Sequence, residues 1–256
     1  MFVIKTNDVK PYVSAFENIL AFKKHTRVLF DKQGILVKTI DDNHVMLIAF
    51  SVAKDDTLEF TSPDDINSCV VYDADIKNLI AVMKLGIKRG PISLKVADEP
   101  RELQMILSNT ELRIPPSVEK IENHDDLELP DENWDIDIII SIKDAKRLFK
   151  DVSTVADEFV LECDAENKSV KLKCKSSKAD AIFDMSSEND IEVKYIKKCS
   201  IIQKFDAKYM FKIIKADIGN KHVNIRVRDG MFIEVRHPFG SNSHLSFYLA
   251  PKLNTD

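Results

Sequence analysis

Lysine and arginine recur at helical spacing in several stretches of this chain, and their fixed positive charge makes phosphate the natural target. Within residues 142–155, Lys143, Lys146, Arg147 and Lys150 fall on one side of a helix, and Ile142, Ala145, Leu148, Phe149 and Val152 on the other. Residues 207–218 repeat the arrangement, with Lys208, Lys212 and Lys215 opposite Met210, Ile213 and Ile214. Residues 74–85 offer Lys77 and Lys84. The stretch 9–22 is poorer, with Lys10 on its face, Glu17 beside it and Lys23-Lys24 at its end. Lysine on one helix face is ordinary solvated surface. Three mostly basic faces in a chain of net charge −5 shift the balance. Sharing one surface, they would form a positive track that holds phosphates without reading bases. The aromatic interleaving that single-strand binders use for stacking is missing, so a duplex is the better target.

Other chemistries find little support. The chain has only 6 glycines (Gly34, Gly86, Gly90, Gly219, Gly230 and Gly240), and their scatter leaves no loop able to cradle a phosphate by backbone N–H groups. Neither GxSxG nor HExxH occurs. Asp41, Asp42 and His44 are the one short run with metal-ligand chemistry, and a small one. Cys69, Cys163, Cys174 and Cys199 are scattered without zinc spacing and read as thiols in a reducing compartment. These observations argue against an enzyme and call for no cofactor or metal. At 44% hydrophobic and 31% charged residues the composition is globular. No apolar run reaches the roughly 18–20 residues of a membrane span, and the first ten residues, MFVIKTNDVK, read as a strand, not a signal peptide.

The basic helices need a scaffold, and its plan is a repeat. Residues 119–135, EKIENHDDLELPDENWD, hold eight acidic residues and few apolar ones. Such a segment stays solvated and extended, and reads as a connector between half-domains 1–118 and 136–256. Before it, strand patterns fall at 2–5, 27–31, 34–40, 44–52, 58–60, 69–72, 92–96, 103–107 and 112–114, with helices at 9–22 and 74–85. After it, strands fall at 136–141, 159–163, 170–174, 181–185, 191–196, 223–227, 232–235 and 245–249, with helices at 142–155 and 207–218. Residues 200–205 lead into the last helix. Tyr72-Asp73-Ala74 with Gly86, and Phe205-Asp206-Ala207 with Gly219, share one spacing. Asp caps a helix start, and Gly takes the left-handed closing position. The fold class is α+β, as two similar β-rich half-domains with two helices each.

Two stretches then carry a family resemblance. The run Gly34-Ile35-Leu36-Val37-Lys38-Thr39-Ile40-Asp41-Asp42-Asn43-His44-Val45 resembles the signature of the proliferating cell nuclear antigen family of sliding clamps. The C-terminal His244-Leu245-Ser246-Phe247-Tyr248-Leu249-Ala250-Pro251-Lys252 does so too, and Leu127-Glu128-Leu129-Pro130 is similar to the family's interdomain linker. The resemblance runs from end to end. It implies a DNA clamp fold, with helices lining the inside of a ring and sheets outside. Such a ring, a homotrimer with a heterotrimer as the alternative, encircles duplex DNA as a polymerase processivity factor and tethers replication and repair proteins. It has no catalytic chemistry, is placed on DNA by a clamp loader, and works intracellularly with the DNA, in the nucleus of a eukaryote.

Carried over by position, the family's DNA-facing residues are Lys10, Lys77, Lys84, Lys143, Lys146, Arg147, Lys150, Lys208, Lys212 and Lys215. Its clients carry a short motif with aromatic anchors. The resemblance implies a docking pocket for that motif at Ile40, His44, Val45 and Leu47, at Leu127, Leu129 and Pro130, and at Gly230, Tyr248, Ala250 and Pro251. Three departures stand out. The first helix is less basic, Gly230 sits where the family commonly has proline, and Pro115-Pro116 lies near the strand that usually pairs with the next subunit, whose own strand would lie near 181–185. The rival readings are a clamp-like subunit of a heteromeric ring or a specialised checkpoint or viral factor, and, less favoured, an enzyme with an unrecognised site near Asp41 and His44.

Overall fold

The computed structural model describes residues 1–63, 68–87, 89–96, 102–122, 127–177, 179–187, 191–197 and 199–253. Part of the acidic connector, 123–126, lies outside the described residues. The chain divides into two compact units, 1–129 with 238–245 and 130–237 with 246–256.

In the first unit β1 (Phe2–Thr6) leads to α1 (Lys10–Leu20), β2 (His25–Asp31), β3 (Gly34–Ile40), β4 (Met46–Ala53), β5 (Glu59–Thr61) and β6 (Val70–Asp75). Then come α2 (Ile76–Met83), β7 (Ile92–Val96), β8 (Leu103–Leu107) and β9 (Thr110–Ile114). The second unit opens with β10 (Ile136–Ser141), α3 (Ile142–Val155), β11 (Glu158–Asp164), β12 (Ser169–Lys175), β13 (Asp180–Asp184) and β14 (Ile191–Tyr195). It continues with β15 (Ser200–Asp206), α4 (Ala207–Ile214) and β16 (His222–Val227), and β17 (Ile233–Phe239) and β18 (Ser243–Leu249) close the chain.

The ladders show that the repeat is real. β1 pairs with β5 and β7, as β10 pairs with β14 and β16. β2 pairs with β3 and β6, as β11 pairs with β12 and β15. In each unit the last of these strands feeds a helix that packs on the unit's first helix. β1, β2, β10 and β11 alternate buried and half-buried residues, as period-two patterning on a half-buried sheet requires. Between sheet and helices sit aromatic cores: Tyr12 and Phe16 against Phe50 in the first unit, and Phe149, Phe159 and Phe205 in the second. No helix among the described residues is long and apolar enough to cross a membrane.

Several local details differ from the sequence reading. Asp73 does not cap α2; it lies in β6, and Asp75 takes the cap by accepting the Asn78 backbone N–H at 3.0 Å. In the second unit Asp206 is the cap, accepting from Lys208 and Tyr209. The equivalent residues are therefore Asp75 and Asp206, two positions off the match in sequence, because β6 runs on to Asp75 in register with β2. Gly86 is not left-handed. It ends a short 3-10 turn, Lys84–Gly86, and is buried where an added Cβ would stand 3.0 Å from Ile92. Gly219, at φ 90°, does need the left-handed region, although α4 itself stops at Ile214, short of the expected 218. Residues 200–205 form a strand and not merely a lead-in. His44 lies in a turn at φ 57°, so β4 starts only at Met46. α1 takes no side-chain cap at Val9; Asp8 instead accepts the Lys10 N–H at 2.8 Å. α3 matches its expected span, capped by Ser141, which accepts the Asp144 N–H at 3.1 Å.

Residues 238–245, the tip of the final hairpin, belong to the first unit, and one carboxylate holds them there. Asp56 accepts backbone N–H groups from Ser241 and Asn242 and the Ser243 hydroxyl, each at 2.7 Å. Gly240 makes the approach possible, since a Cβ there would fall 2.6 Å from the Asp56 carboxyl carbon. These donors overcome the cost of partial burial and hold the Asp56 carboxyl below its usual range. In the second unit His237 is fully buried, and its Nε2 lies 3.2 Å from the Ile213 carbonyl. Burial pushes its pKa down to about 4, so the ring is neutral near pH 7.

Candidate nucleic-acid interface

α3 buries Ala145, Phe149 and Val152 and exposes Lys143, Arg147 and Lys150 on the other side. Ile142 and Leu148, expected on the apolar face, are only half-buried. Lys146 is half-buried as well, 3.2 Å from Asp217, and Arg147 lies 3.4 Å from Asp144. α4 buries Met210, Ile213 and Ile214 while Lys208, Lys212 and Lys215 are exposed. Lys208 meets Asp157 at 2.7 Å, and the Lys215 ammonium sits 5.2 Å from the centre of the Phe211 ring. In the first unit Lys10 and Lys77 are exposed, and Lys84 is tied to Glu17 at 2.7 Å. Exposed ion pairs are weak, so a phosphate can displace these carboxylates at little cost.

The residues assigned to partner docking form separate groups in the two units. In the first, Ile40 and Leu47 face each other across β3 and β4, both half-buried, while Val45 and His44 are exposed. Asp41 is buried and spends its carboxylate on the turn, accepting N–H groups from Asn43 (3.2 Å), Val45 (2.9 Å) and Met46 (2.8 Å). Among the described residues no cluster of three or more His, Cys, Asp or Glu side chains could hold a metal. Leu127 and Leu129 are half-buried. Lys38 donates to the Leu127 carbonyl at 2.7 Å, and Lys23 meets Asp42 at 3.1 Å and Glu122 at 3.5 Å. The signal for Lys38 was a lysine in the middle of the otherwise apolar run GILVKTI.

In the second unit Pro130 and Pro251 are half-buried and Ala250 is exposed. Tyr248 is buried and stacks on Trp134, with centroids 6.5 Å apart and an interplanar angle of 16°. Burial pushes its phenol up to about 12. Phe232 packs edge-on against both, 5.6 Å from Tyr248 and 6.1 Å from Trp134. Gly230 is exposed in a turn at φ 70°, so it is Phe232, not Gly230, that packs against Tyr248. Sequence reasoning missed Phe232 because it was counted only as the start of a strand.

Two family models match this chain. "Proliferating cell nuclear antigen, N-terminal domain" matches residues 9–137, and "Proliferating cell nuclear antigen, C-terminal domain" matches residues 128–252. The chain belongs to the proliferating cell nuclear antigen family. "Proliferating cell nuclear antigen 2" of Drosophila melanogaster is 22% identical over 249 residues, covering 96% of this chain and 94% of that protein. "DNA polymerase sliding clamp" of Methanoregula boonei is 21% identical over 260 residues, covering 98% of each. A crystal structure of the proliferating cellular nuclear antigen of Entamoeba histolytica superimposes with a TM-score of 0.82 at 19% identity, covering 98% of this chain and 99% of that one. The fold is therefore the DNA clamp fold, in two halves of proliferating cell nuclear antigen type. The two family domains overlap at 128–137, across the end of the acidic connector and the start of β10.

Proposed function

We propose that the chain is a DNA sliding clamp, a subunit of a closed ring of three copies that encircles duplex DNA and tethers polymerases and other replication and repair proteins. Family membership supports the role, and the observation that carries its mechanism is the exposed basic face of α3 and α4 set against an apolar buried face. A sliding tether needs many weak, sequence-blind contacts. Lysines facing phosphates supply them, and ring closure, not affinity, keeps the clamp in place. The DNA-facing residues are Lys143, Lys146, Arg147 and Lys150 on α3, Lys208, Lys212 and Lys215 in or just after α4, and Lys10, Lys77 and Lys84 in the first unit. Clients with a short aromatic motif dock on Ile40, Val45 and Leu47 and the connector leucines of the first unit, and around Tyr248, Ala250 and Pro251 of the second.

Ring closure uses strand edges. Among the described residues β9 and β13 are the terminal strands of their sheets, so each offers an edge to a neighbouring subunit. β9 ends at Ile114, before Pro115, which has no N–H to extend the ladder.

Retention on DNA tests the reading. Protein loaded by a clamp loader onto a nicked circular plasmid should stay bound through a high-salt wash and leave once the plasmid is cut. Light scattering should give the mass of three chains. Loss from uncut circles at the same rate as from linear DNA overturns the encircling mechanism.

A further inference from the structure

The β16–β18 face that carries Phe232 and Tyr248 also carries a charge network with no counterpart in the sequence motifs. Side chains alternate along a strand, so Glu234 and Arg236 share one face of β17 and Ser246 and Tyr248 one face of β18. The Ser246–Glu234 hydrogen bond, and the contact of Phe232, just before β17, with Tyr248, put all five on the same side. Glu234 is fully buried there. Its Oε1 accepts from Arg236 Nε at 2.9 Å and from the Ser246 hydroxyl at 2.8 Å, and Arg226 Nη1 approaches Oε2 at 3.4 Å. A carboxylate in such a place is tolerated only when paired on every side.

Arg236 has a second partner. Its Nη2 donates to Glu132 of the connector at 2.7 Å, so one planar guanidinium joins a buried carboxylate of the sheet to an exposed carboxylate of the strap. Arg228 adds a parallel tie to Asp131 at 2.6 Å. Two residues beyond Glu132 stands Trp134, which stacks on Tyr248. A guanidinium fork fixes direction as well as distance, which a lysine ammonium on the same backbone does not.

We propose that Arg236 is a positioning residue for client docking: anchored by Glu234, it holds Glu132 and thereby sets where the connector and the Trp134–Tyr248 stack lie. The proposal rests on the client-docking reading above. An untethered connector would sample other positions, and a client would have to fix it on binding, at a cost in affinity.

The test is binding of a short labelled peptide with adjacent aromatic anchors and no net charge. Glu132→Gln removes the strap's charge at an exposed position and leaves the buried network whole. It should weaken peptide binding by about three- to tenfold, as expected for removing one charge-assisted hydrogen bond at a partly exposed site. Arg236→Lys should fall between wild type and Glu132→Gln. The two substitutions combined should cost no more than Glu132→Gln alone. Wild-type affinity should decline with salt although the peptide is neutral, and Glu132→Gln should show a weaker decline, since only the Arg228–Asp131 tie is left to screen. Ring mass and DNA retention should not move. Equal, salt-independent binding by wild type and Glu132→Gln overturns the positioning role alone. Wild type that fails to bind any such peptide overturns the docking reading, and this proposal with it.

Discussion

α1 and α2 present Lys10 and Lys77, with Lys84 just beyond α2 and held by Glu17, whereas α3 and α4 present Lys143, Arg147, Lys150, Lys208 and Lys212, with Lys215 just beyond. The scaffolds beneath them are the same: equivalent ladders, equivalent Asp caps and an aromatic core in each. Core positions are held to their residue types by packing, while exposed positions change at a cost within about 0.5 kcal/mol. A duplicated fold can thus keep its architecture and let surface charge drift apart. The exposed positive charge of the helices lies mostly on the second unit, so the proposed phosphate track would depend mainly on that half.

The sharpest break would come from stripping the two faces separately. Replacing Lys143, Arg147, Lys150, Lys212 and Lys215 by Ala should lower affinity for duplex DNA on the order of a hundredfold at low salt, and should flatten the log–log salt slope by about 0.9 for each phosphate no longer neutralised. The same change at Lys10, Lys77 and Lys84 should do clearly less, and equal losses would refute the asymmetry. Fluorescence anisotropy across a salt series reads both.

Acid should also separate the units, with an effect of intermediate size. The unfolded state protonates His237 near pH 6.5 while the folded state resists down to about 4, so stability falls as pH drops through that window. The loss has a slope of at most about 1.4 kcal/mol per pH unit and a total of roughly 3 kcal/mol. Trp134, the only tryptophan, lies in the second unit and reports its unfolding there. Denaturant midpoints at pH 7 and 4.5 should differ less in His237→Gln than in wild type. A difference as large as that of wild type would rule out His237 as the source.

The smallest effects sharpen the register of the repeat. Asp75→Ala and Asp206→Ala should each cost about 1 kcal/mol as lost helix caps. Asp73→Ala removes only a half-exposed pair, 3.4 Å from Arg27, and should cost less than about 0.5 kcal/mol. Thermal melts of the three variants decide the order, and Asp73→Ala as the costliest would restore the register read from sequence.

The fold was largely legible because its determinants are local and periodic. Alternation gave most of the strands, and the spacing of Phe149, Val152 and Lys150 gave α3 its faces. What stayed hidden depends on pairing across the sheet. Whether Asp73 or Asp75 caps a helix is set by how far β6 follows β2. Gly86 looked like a helix stop and is instead a close-packing position beside Ile92 and Leu107. The residues proposed for docking stand out in the sequence as motifs, whereas Phe232, Lys38 and Arg236 acquire their contacts only from residues far away in sequence.

The Asp56 clasp on residues 238–245 bears on the order in which the protein can be made. Its first unit is discontinuous, begun by residues 1–129 and completed by a hairpin tip more than a hundred residues later. Domains otherwise tend to fold in the order of synthesis. Here the N-terminal unit keeps one place open while more than a hundred further residues are made, and its Asp56 finds its donors only after residues 241–243 have left the ribosome.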